Sequence, residues 1–573
     1  MKIREKLFQD TSSRAWRFWF IVTLVFALSY SILALKKAFQ GEWVVQDDAR
    51  QHVFWMMRYV NPNLFPNDLI ADYFQSVAPF GYSSLYRGAV ALGFDPLVFN
   101  KLLPPIIGIV TTCYCFLLSK EILPIPFGCF ATSLMLNQTL WMKDDIISGT
   151  PRAFVYPFFL AFLYYFAKRS LVPCCLMIAF LGIFYPQYVF VASGLLILQL
   201  VKWQGFKPYL SKESKDYYFC FIGLGVAFFV LLPYVLNASE YGPTITRAEA
   251  LELPDFSPKG RSKFFRLHWW SYIIGGGRAG LIPRSLYTPA TLVFGFFLPW
   301  LLGATRSFPL SKSVRPQVII LPQLMMVSVG LFIVAHAVLF KLHLPSRYSG
   351  HSLRIVITLA AGIAVTVILE ALITQLELRL PNNKISLVRK FLTLGLALAI
   401  AISLVCYPSF VKRFPSTKYK VGTEPELYQF FQQQPVDILI ASLAMETDNI
   451  PTFSQRSVLV SREYAIPYHM GYYRPYRQRV IDLIEAQFSP DIDVVTQFIN
   501  KYGVTHWLVE DAGFAADYVA KNRWRRQHQK ITQEVVTNLE QGAIPALVAY
   551  KNSCAVFKHA QYTVISTECI LRN

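Results

Sequence analysis

Residues Trp16 to Leu35 form an almost unbroken apolar run. About twenty helical residues cover the roughly 30 Å hydrocarbon core of a bilayer. No other feature limits the fold so strongly, because such a segment must be buried in lipid or among others like it. Lys2, Arg4, Lys6, Arg14 and Arg17 precede it and Lys36 and Lys37 follow. A secretory signal has a shorter apolar core and a small-residue cleavage site. The expectation is therefore a retained first helix with a cytoplasmic N-terminus.

Ten further apolar runs lie near 97–118, 127–142, 153–167, 171–185, 187–201, 217–236, 286–304, 318–340, 354–373 and 391–410, which makes about 11 transmembrane helices in all. Composition agrees. Hydrophobic residues are 54% of the chain and charged ones 16%, against about 25% charged in soluble domains. Nine cysteines in 573 residues are too sparse for a disulfide scaffold. The net charge of +20 would suggest nucleic acid in a soluble chain. Here the Lys and Arg flank apolar runs, as cytoplasmic helix ends require, so no nucleic-acid partner is expected.

Residues 171–201 are either one helix broken at Pro186 or two spans. Two spans put Lys202, Lys207, Lys212, Lys215, Arg306, Lys312 and Arg315 on the cytoplasmic side; one span moves them outside. The positive-inside rule favours two. Residues 1–410 are then a membrane domain with outer loops 36–96, 143–152, 237–285 and 341–353. Residues 411–573 form an extracytoplasmic domain, and the expected location is the cell's inner (plasma) membrane.

The C-terminal part has no run long enough to span. Short apolar runs at 437–441, 457–460 and 505–509 suggest buried strands, and 424–434, 474–487 and 491–502 suggest helices, with Gly503 as a cap. This alternation predicts a soluble α/β domain. Cys554 and Cys569 flank a last pair of strand-like runs, either as a disulfide or as two buried thiols.

Chemistry concentrates in the outer loops. Asp47 and Asp48 stand together in GEWVVQDDARQH, with His52 close behind. Two adjacent carboxylates at a bilayer surface hold a cation, or divide into a base and a hydrogen-bonded partner. The plain alternative is a helix N-cap, for which Asp47 is suited. The aromatic and Met-rich stretch that follows is expected to be amphipathic and to lie on the membrane surface. Asp144 and Asp145 repeat the theme in WMKDDIISGTPRAF, where Arg152 enters an apolar run and needs a partner. Arg247 begins a loop of cations and aromatics suited to anionic headgroups. KLHLPSRYSGHSLR adds Arg347, Tyr348, His351 and Arg354, and guanidinium groups grip phosphate bidentately. The expected catalytic residues are Asp47 and Asp48. The expected substrate-binding residues are His52, Asp144, Asp145, Arg152, Arg247, Arg347, Tyr348, His351 and Arg354. As an alternative to the arginines, a divalent cation (Mg or Mn) would be held by Asp47, Asp48, Asp144 and Asp145. GGGRAG has no strand before it and no phosphate-loop Lys after it, so it is a turn.

This layout of one span, then an outer loop with an acidic pair, resembles the GT-C superfamily of polytopic glycosyltransferases. DDARQH is similar to the Asp-Glu-x-His start of the first loop in protein O-mannosyltransferases and to the Asp-x-Asp of oligosaccharyltransferase catalytic subunits. Asp47 aligns with the Asp of the mannosyltransferase pair, which favours Asp47 as the base; Asp48 stands where that pair has Glu, and the acceptor motif WWDYG is absent. SGTPRAF, TRAEA and LPSRY are similar to phrases in bacterial GT-C-like proteins over most of the chain. The resemblance implies an α-helical polytopic GT-C-like fold and an inverting transfer of sugar from a polyprenyl-phosphate donor to an acceptor on the outer face. The acceptor, whether glycan, lipid or protein, is not specified. Two other classes fit the composition: a transporter or flippase of a polar or lipid-linked substrate, and a non-catalytic membrane assembly or sensor protein.

Overall fold

A computed structural model describes residues 2–204, 207–236, 240–283, 286–377 and 384–572. Residues 237–239 and 284–285 of the expected third outer loop lie outside the described residues. All eleven apolar runs become helical, but they are not equivalent. Six helices are long and apolar enough to cross a membrane: Ser13–Ala38, Pro96–Ile122, Ser214–Leu236, Pro316–Ala337, Ser346–Glu377 and Leu387–Phe410. Leu171–Phe184, Gln187–Leu198 and Ala290–Gly303 are apolar but shorter. The expectation of about eleven spans, several of them short, is met by helices of unequal length. The reason is visible at Pro126–Trp141, all sixteen of whose residues are buried by protein. A helix wrapped by its neighbours does not have to match the thickness of the lipid.

Two helices form at 171–201, joined at Tyr185 and Pro186. Arg169, just before the first, hydrogen-bonds Gln199, just after the second. Asp216 holds both Arg169 (3.2 Å) and Lys202 (2.9 Å). The outer ends of the pair are therefore brought together, so the chain turns back at Pro186 rather than continuing.

The two ends of the bundle differ. At one, Arg4 Nε meets Glu370 at 2.8 Å, and the Arg315 N–H donates to the Ile122 carbonyl at 2.8 Å. The long loops and the C-terminal region crown the other. In that region a five-stranded sheet runs in the order Ser457–Val458, Leu439–Ala441, His506–Glu510, Tyr562–Ser566, Ala555–His559. The first three strands are parallel and the last two antiparallel. Helices Pro425–Gln433, Met470–Phe488 and Ile492–Tyr502 form where the apolar periodicity predicts them. Gly503 ends the last of these in the left-handed region at φ 68°. Cys554 and Cys569 are disulfide-bonded, with Cα atoms 5.5 Å apart.

The centre of the bundle is Ser346–Glu377 packed on Pro126–Trp141. Small residues four apart meet there: Gly128 and Thr132 on one helix, Gly362 and Thr366 on the other. A Cβ at Gly362 would lie 1.8 Å from Thr132 Oγ1. The threonine hydroxyls donate to their own helices, Thr132 to the Gly128 carbonyl (2.9 Å) and Thr366 to the Gly362 carbonyl (2.6 Å), so neither hydroxyl at this contact lacks a partner. Close backbone approach of this kind is how apolar helices associate without a hydrophobic drive between them. Gly362→Val should therefore lower the thermal midpoint, since overpacking costs about 1–3 kcal/mol. Gly330→Val, where nothing lies within 4 Å, should leave it nearly unchanged. Equal midpoints for the two variants would contradict this contact.

Candidate functional site

A two-stranded antiparallel ribbon builds the first half of the site. Val44–Gln46, just after the first helix, pairs with Tyr419–Val421, just after the last, with Val45 opposite Lys420. The pairing runs on as the Asp47 N–H donates to the Lys418 carbonyl at 3.2 Å. Gln46 Oε1 then accepts from the Asp48 and Ala49 N–H groups at 2.8 and 3.3 Å. Gln46 thus does the work expected of an Asp47 cap. Asp48 occupies the N-cap of the short helix Ala49–His52 without a side-chain capping bond. Both carboxylates remain available. The amphipathic surface helix expected next is instead a buried 3-10 turn, Phe54–Tyr59, whose Phe54, Trp55, Met56 and Met57 pack inside the protein.

The second half is the loop before Pro151–Phe154. Asn100 Nδ2 donates to the Ser148 carbonyl at 3.0 Å and to the Tyr86 hydroxyl at 3.0 Å. Gly149 has φ 57°, and a Cβ there would sit 2.6 Å from Asn100 Nδ2, so the turn requires glycine. This clamp presents Asp144, Asp145 and Arg152 to the first loop.

Three of the acids meet two arginines as follows. Arg152 Nη2 donates to Asp48 Oδ2 and, at 2.9 Å, to Asp144 Oδ2. Lys418, whose backbone is left-handed at φ 51°, reaches Asp144 Oδ2 at 2.9 Å. Deeper down, Asp145 pairs with Arg354, which also donates to the Tyr156 hydroxyl. Tyr156 in turn bonds His351 Nδ1 at 2.8 Å. Burial pushes the Asp144 and Asp145 carboxyls up, but the cations outweigh it. Arg152 and Lys418 hold Asp144 below the usual range, and Arg354 and His351 hold Asp145 well below it. Arg152 is itself raised above its ordinary value, with burial opposed by Asp48 and Asp144.

Asp47 faces the α/β region. Arg50 Nη2 bridges Asp47 Oδ1 (2.5 Å) and Glu463 Oε2 (3.3 Å), while its Nη1 donates to Asn449 Oδ1 at 2.9 Å. Lys420 stands 3.7 Å from the same Asp47 oxygen. His52 is buried and feels Asp48, Arg152 and Arg347; burial, with the two arginines, takes its pKa down to about 4, so it is neutral near pH 7.

Not every expected residue joins. Arg347 lies close enough to act on His52 and Tyr185. Among the described residues its side chain has no hydrogen bond or ion pair, and its buried Nε has no partner. Tyr348 is fully buried, and its hydroxyl donates to the Leu342 carbonyl at 2.9 Å, so it fixes the loop instead of facing a substrate. Arg247 is exposed at the start of Arg247–Glu252, where its charge acts on Tyr272 and not on the carboxylates. Sequence reasoning missed Arg50, Lys143, Lys418, Lys420 and Glu463. Arg50 lies inside the DDARQH phrase and Lys143 directly before the second acidic pair, so both were within reach of it. The other three come from the C-terminal region, far away in sequence. Lys143 is brought down to about 8 by burial and Arg354.

The four carboxylates do not fit a divalent ion as they stand. Magnesium needs near-octahedral oxygens at about 2.0–2.1 Å. Here each carboxylate has an oxygen engaged by an Arg. Among the described residues no group of three or more His, Cys, Asp or Glu is placed to hold a metal.

No family model matches the sequence, and no curated protein matches it. Solved structures do. The archaeal oligosaccharyltransferase AglB from Archaeoglobus fulgidus, in complex with an inhibitory peptide and a dolichol-phosphate, superposes with a TM-score of 0.54 at 12% identity, over 89% of this chain and 71% of that one. The Archaeoglobus fulgidus oligosaccharyltransferase tethered to an acceptor peptide gives 0.53 at 13% identity, over 90% and 72%. The same enzyme with Zn and sulfate gives 0.51 at 11%, over 88% and 69%. At such identities the likeness is one of fold, and the fold is that of the GT-C membrane glycosyltransferases.

Glu463 gives this site a pH signature. Burial raises its carboxyl to about 7 against the pull of Arg261 and Arg50, with Asp448 and Asp47 pushing the same way as burial. An acid with a raised folded pKa binds its proton more tightly when folded. Its stabilising contribution is whole below the unfolded pKa and fades as pH climbs to the folded one. Glu463→Gln keeps the neutral form, so its thermal midpoint relative to wild type should rise between about pH 5 and about pH 8. A difference that stays flat across that window would mean that Glu463 is ionised throughout.

Proposed function

From a GT-C fold whose loops gather two acidic pairs beside an unpaired guanidinium, we propose that the chain is an integral membrane glycosyltransferase. It moves a sugar from a polyprenyl-phosphate donor to an acceptor hydroxyl at the end of the bundle that carries the α/β region. The opposite end holds Arg169, Lys202, Arg306, Lys312 and Arg315. By the positive-inside rule that end faces the cytoplasm. The site then lies on the outer face of the inner membrane. Residues 1–410 are the membrane domain and 411–573 an extracytoplasmic domain that completes the site through Lys418 and Lys420. The dolichol-phosphate held by the oligosaccharyltransferase supports a polyprenyl-phosphate carrier here.

One observation carries this reading. Asp47 and Asp48 are each fixed through one oxygen by an arginine, and among the described residues their other oxygens make no hydrogen bond or ion pair. Their side chains are 30% and 32% exposed, against 13% and 11% for Asp144 and Asp145. The first pair is oriented and reachable; the second is structural support. His52 feels the charge of both Asp48 and Arg347, which supports grouping that carboxylate and that guanidinium in one site. Asp48 is therefore the base. It takes the acceptor's O–H proton as that oxygen bonds to the anomeric carbon. The bond from that carbon to the phosphate oxygen breaks with its electron pair, so configuration inverts through an oxocarbenium-like transition state. Arg347 receives the departing lipid phosphate, a charge that its fork of N–H groups suits. Arg152 and Arg354 are engaged by carboxylates and do not serve the phosphate.

The test is to incubate purified protein with a panel of polyprenyl-phosphate sugars and follow release of the lipid phosphate. Asp48→Asn should reduce turnover at least about 100-fold, the lower end of what a general base contributes. Asp47→Asn should reduce it less. Neither side chain caps the helix, but each neutralises an arginine, so thermal midpoints should fall somewhat and turnover is compared on variants shown to be folded. Turnover of both variants within about threefold of wild type would fall well short of the general-base range and sink the assignment.

Arg347 is examined by a substitution that keeps its charge. Arg347→Lys should lose most of the activity, because an ammonium group cannot grip phosphate bidentately. Near-normal turnover would reduce Arg347 to a cation flanking a helix.

A further inference from the structure

We infer that Arg152 occupies the place of a bridging cation, so that its guanidinium, and not a divalent metal, joins Asp48 of the first loop to Asp144 of the second. A single nitrogen, Arg152 Nη2, stands between Asp48 Oδ2 and Asp144 Oδ2 and donates to both. A metal linking those two oxygens would sit where that nitrogen is. Arg152 is not free to swing away. It lies in the Pro151–Phe154 turn, whose Pro151, Ala153 and Phe154 are buried, and its Nη2 also donates to the Asp144 carbonyl at 3.3 Å. Its side chain is 20% exposed.

Charge points the same way. Asp144 already carries Lys418 as well as Arg152, Asp145 carries Arg354, and Asp47 carries Arg50 with Lys420 beyond. Each acid that would complete a coordination sphere has its own cation. A divalent ion entering here would have to displace a guanidinium that is always protonated. It would also leave that guanidinium buried and unpaired, which is strongly unfavourable. One link differs in kind from a metal bridge: a guanidinium holds the two loops at fixed separation but leaves the free oxygen of Asp48 uncoordinated, so its basicity is not masked by a ligand bond.

The inference stands apart from the transfer reaction, and its test reads metal directly. Manganese is titrated into the purified, chelator-treated full-length protein and followed by electron paramagnetic resonance and calorimetry. Wild type should show no saturable site. Arg152→Ala, checked for folding by its thermal midpoint, should gain one, and Asp48→Asn in that background should abolish it. Stoichiometric manganese bound by wild type and lost in Asp48→Asn would overturn the inference. A folded Arg152→Ala that gains nothing would overturn it too, because the two acids would then not be poised around a cation position. Should Arg152→Ala fail to fold, the wild-type titration with Asp48→Asn alone decides. Where turnover is measurable, adding a chelator should leave it unchanged; its loss, with recovery on adding manganese, would count against Arg152 in the same way. Absence of turnover with every donor would bear on the transferase reading alone.

Discussion

A charge at the rim of a low-dielectric bundle needs its counter-charge within hydrogen-bonding reach, and Arg152 meets that need for two loops at once. Removing one partner leaves the other short of a counter-charge, a cost that partial exposure to solvent reduces. The geometry that follows depends on this link. Asp48 is held from below by Arg152, and Asp144 is shared with Lys418 of the C-terminal segment. Three stretches of chain, remote in sequence, thereby converge on a few atoms. The clamp of Asn100 on Ser148 keeps the second loop in place beneath them.

Chemically similar side chains are sorted by depth. Arg50, Arg152, Arg347 and Arg354 differ only in their surroundings. Arg354 is closed in with Asp145 and Tyr156, and His351 packs against Tyr188 beside them, so this layer is buried among its own partners. Arg152 is half-way out and bridges. Arg50 is turned toward the α/β region through Glu463 and Asn449. Arg347 alone keeps its donors unengaged among the described residues. The same sorting separates the acidic pairs, the inner one neutralised and the outer one reachable. Pairing therefore decides which charge is structure and which is chemistry.

That sorting explains what could be read in the sequence. Apolar runs are local, so all eleven helices were visible, as were the strands at 439–441 and 506–510 and the cap at Gly503. Span lengths were less legible, because helix length records lipid thickness only where a helix faces lipid, and every residue of Pro126–Trp141 is buried by protein. The turn at Pro186 followed from charge bias alone. In the candidate site, the acidic pairs and Arg347 stood out as charges out of place among apolar neighbours. Lys418, Lys420 and Glu463 did not, since nothing near them in sequence marks them. They matter only because a strand at 419–421 finds one at 44–46. Likewise no pattern could assign Tyr348 to packing and leave Arg347 unengaged, for the two are adjacent and differ only in where the helix start points them.

The ribbon between Val44–Gln46 and Tyr419–Val421 also has a meaning in time. Its strands are separated by every membrane helix after the first, and a chain is made from its N-terminus. Asp47 and Asp48 emerge early, yet the backbone that fixes their loop, and the lysines that neutralise their neighbours, arrive only when the last apolar helix is in place. Until then the first loop has no strand partner and the acids lack part of their cationic frame. Closing so long a loop is slow as well as late. The protein is thus built so that the end carrying the acidic pairs matures last, when the whole membrane bundle already exists to support it. A chain stalled or truncated before residue 418 would carry the acidic pairs without the means to aim them.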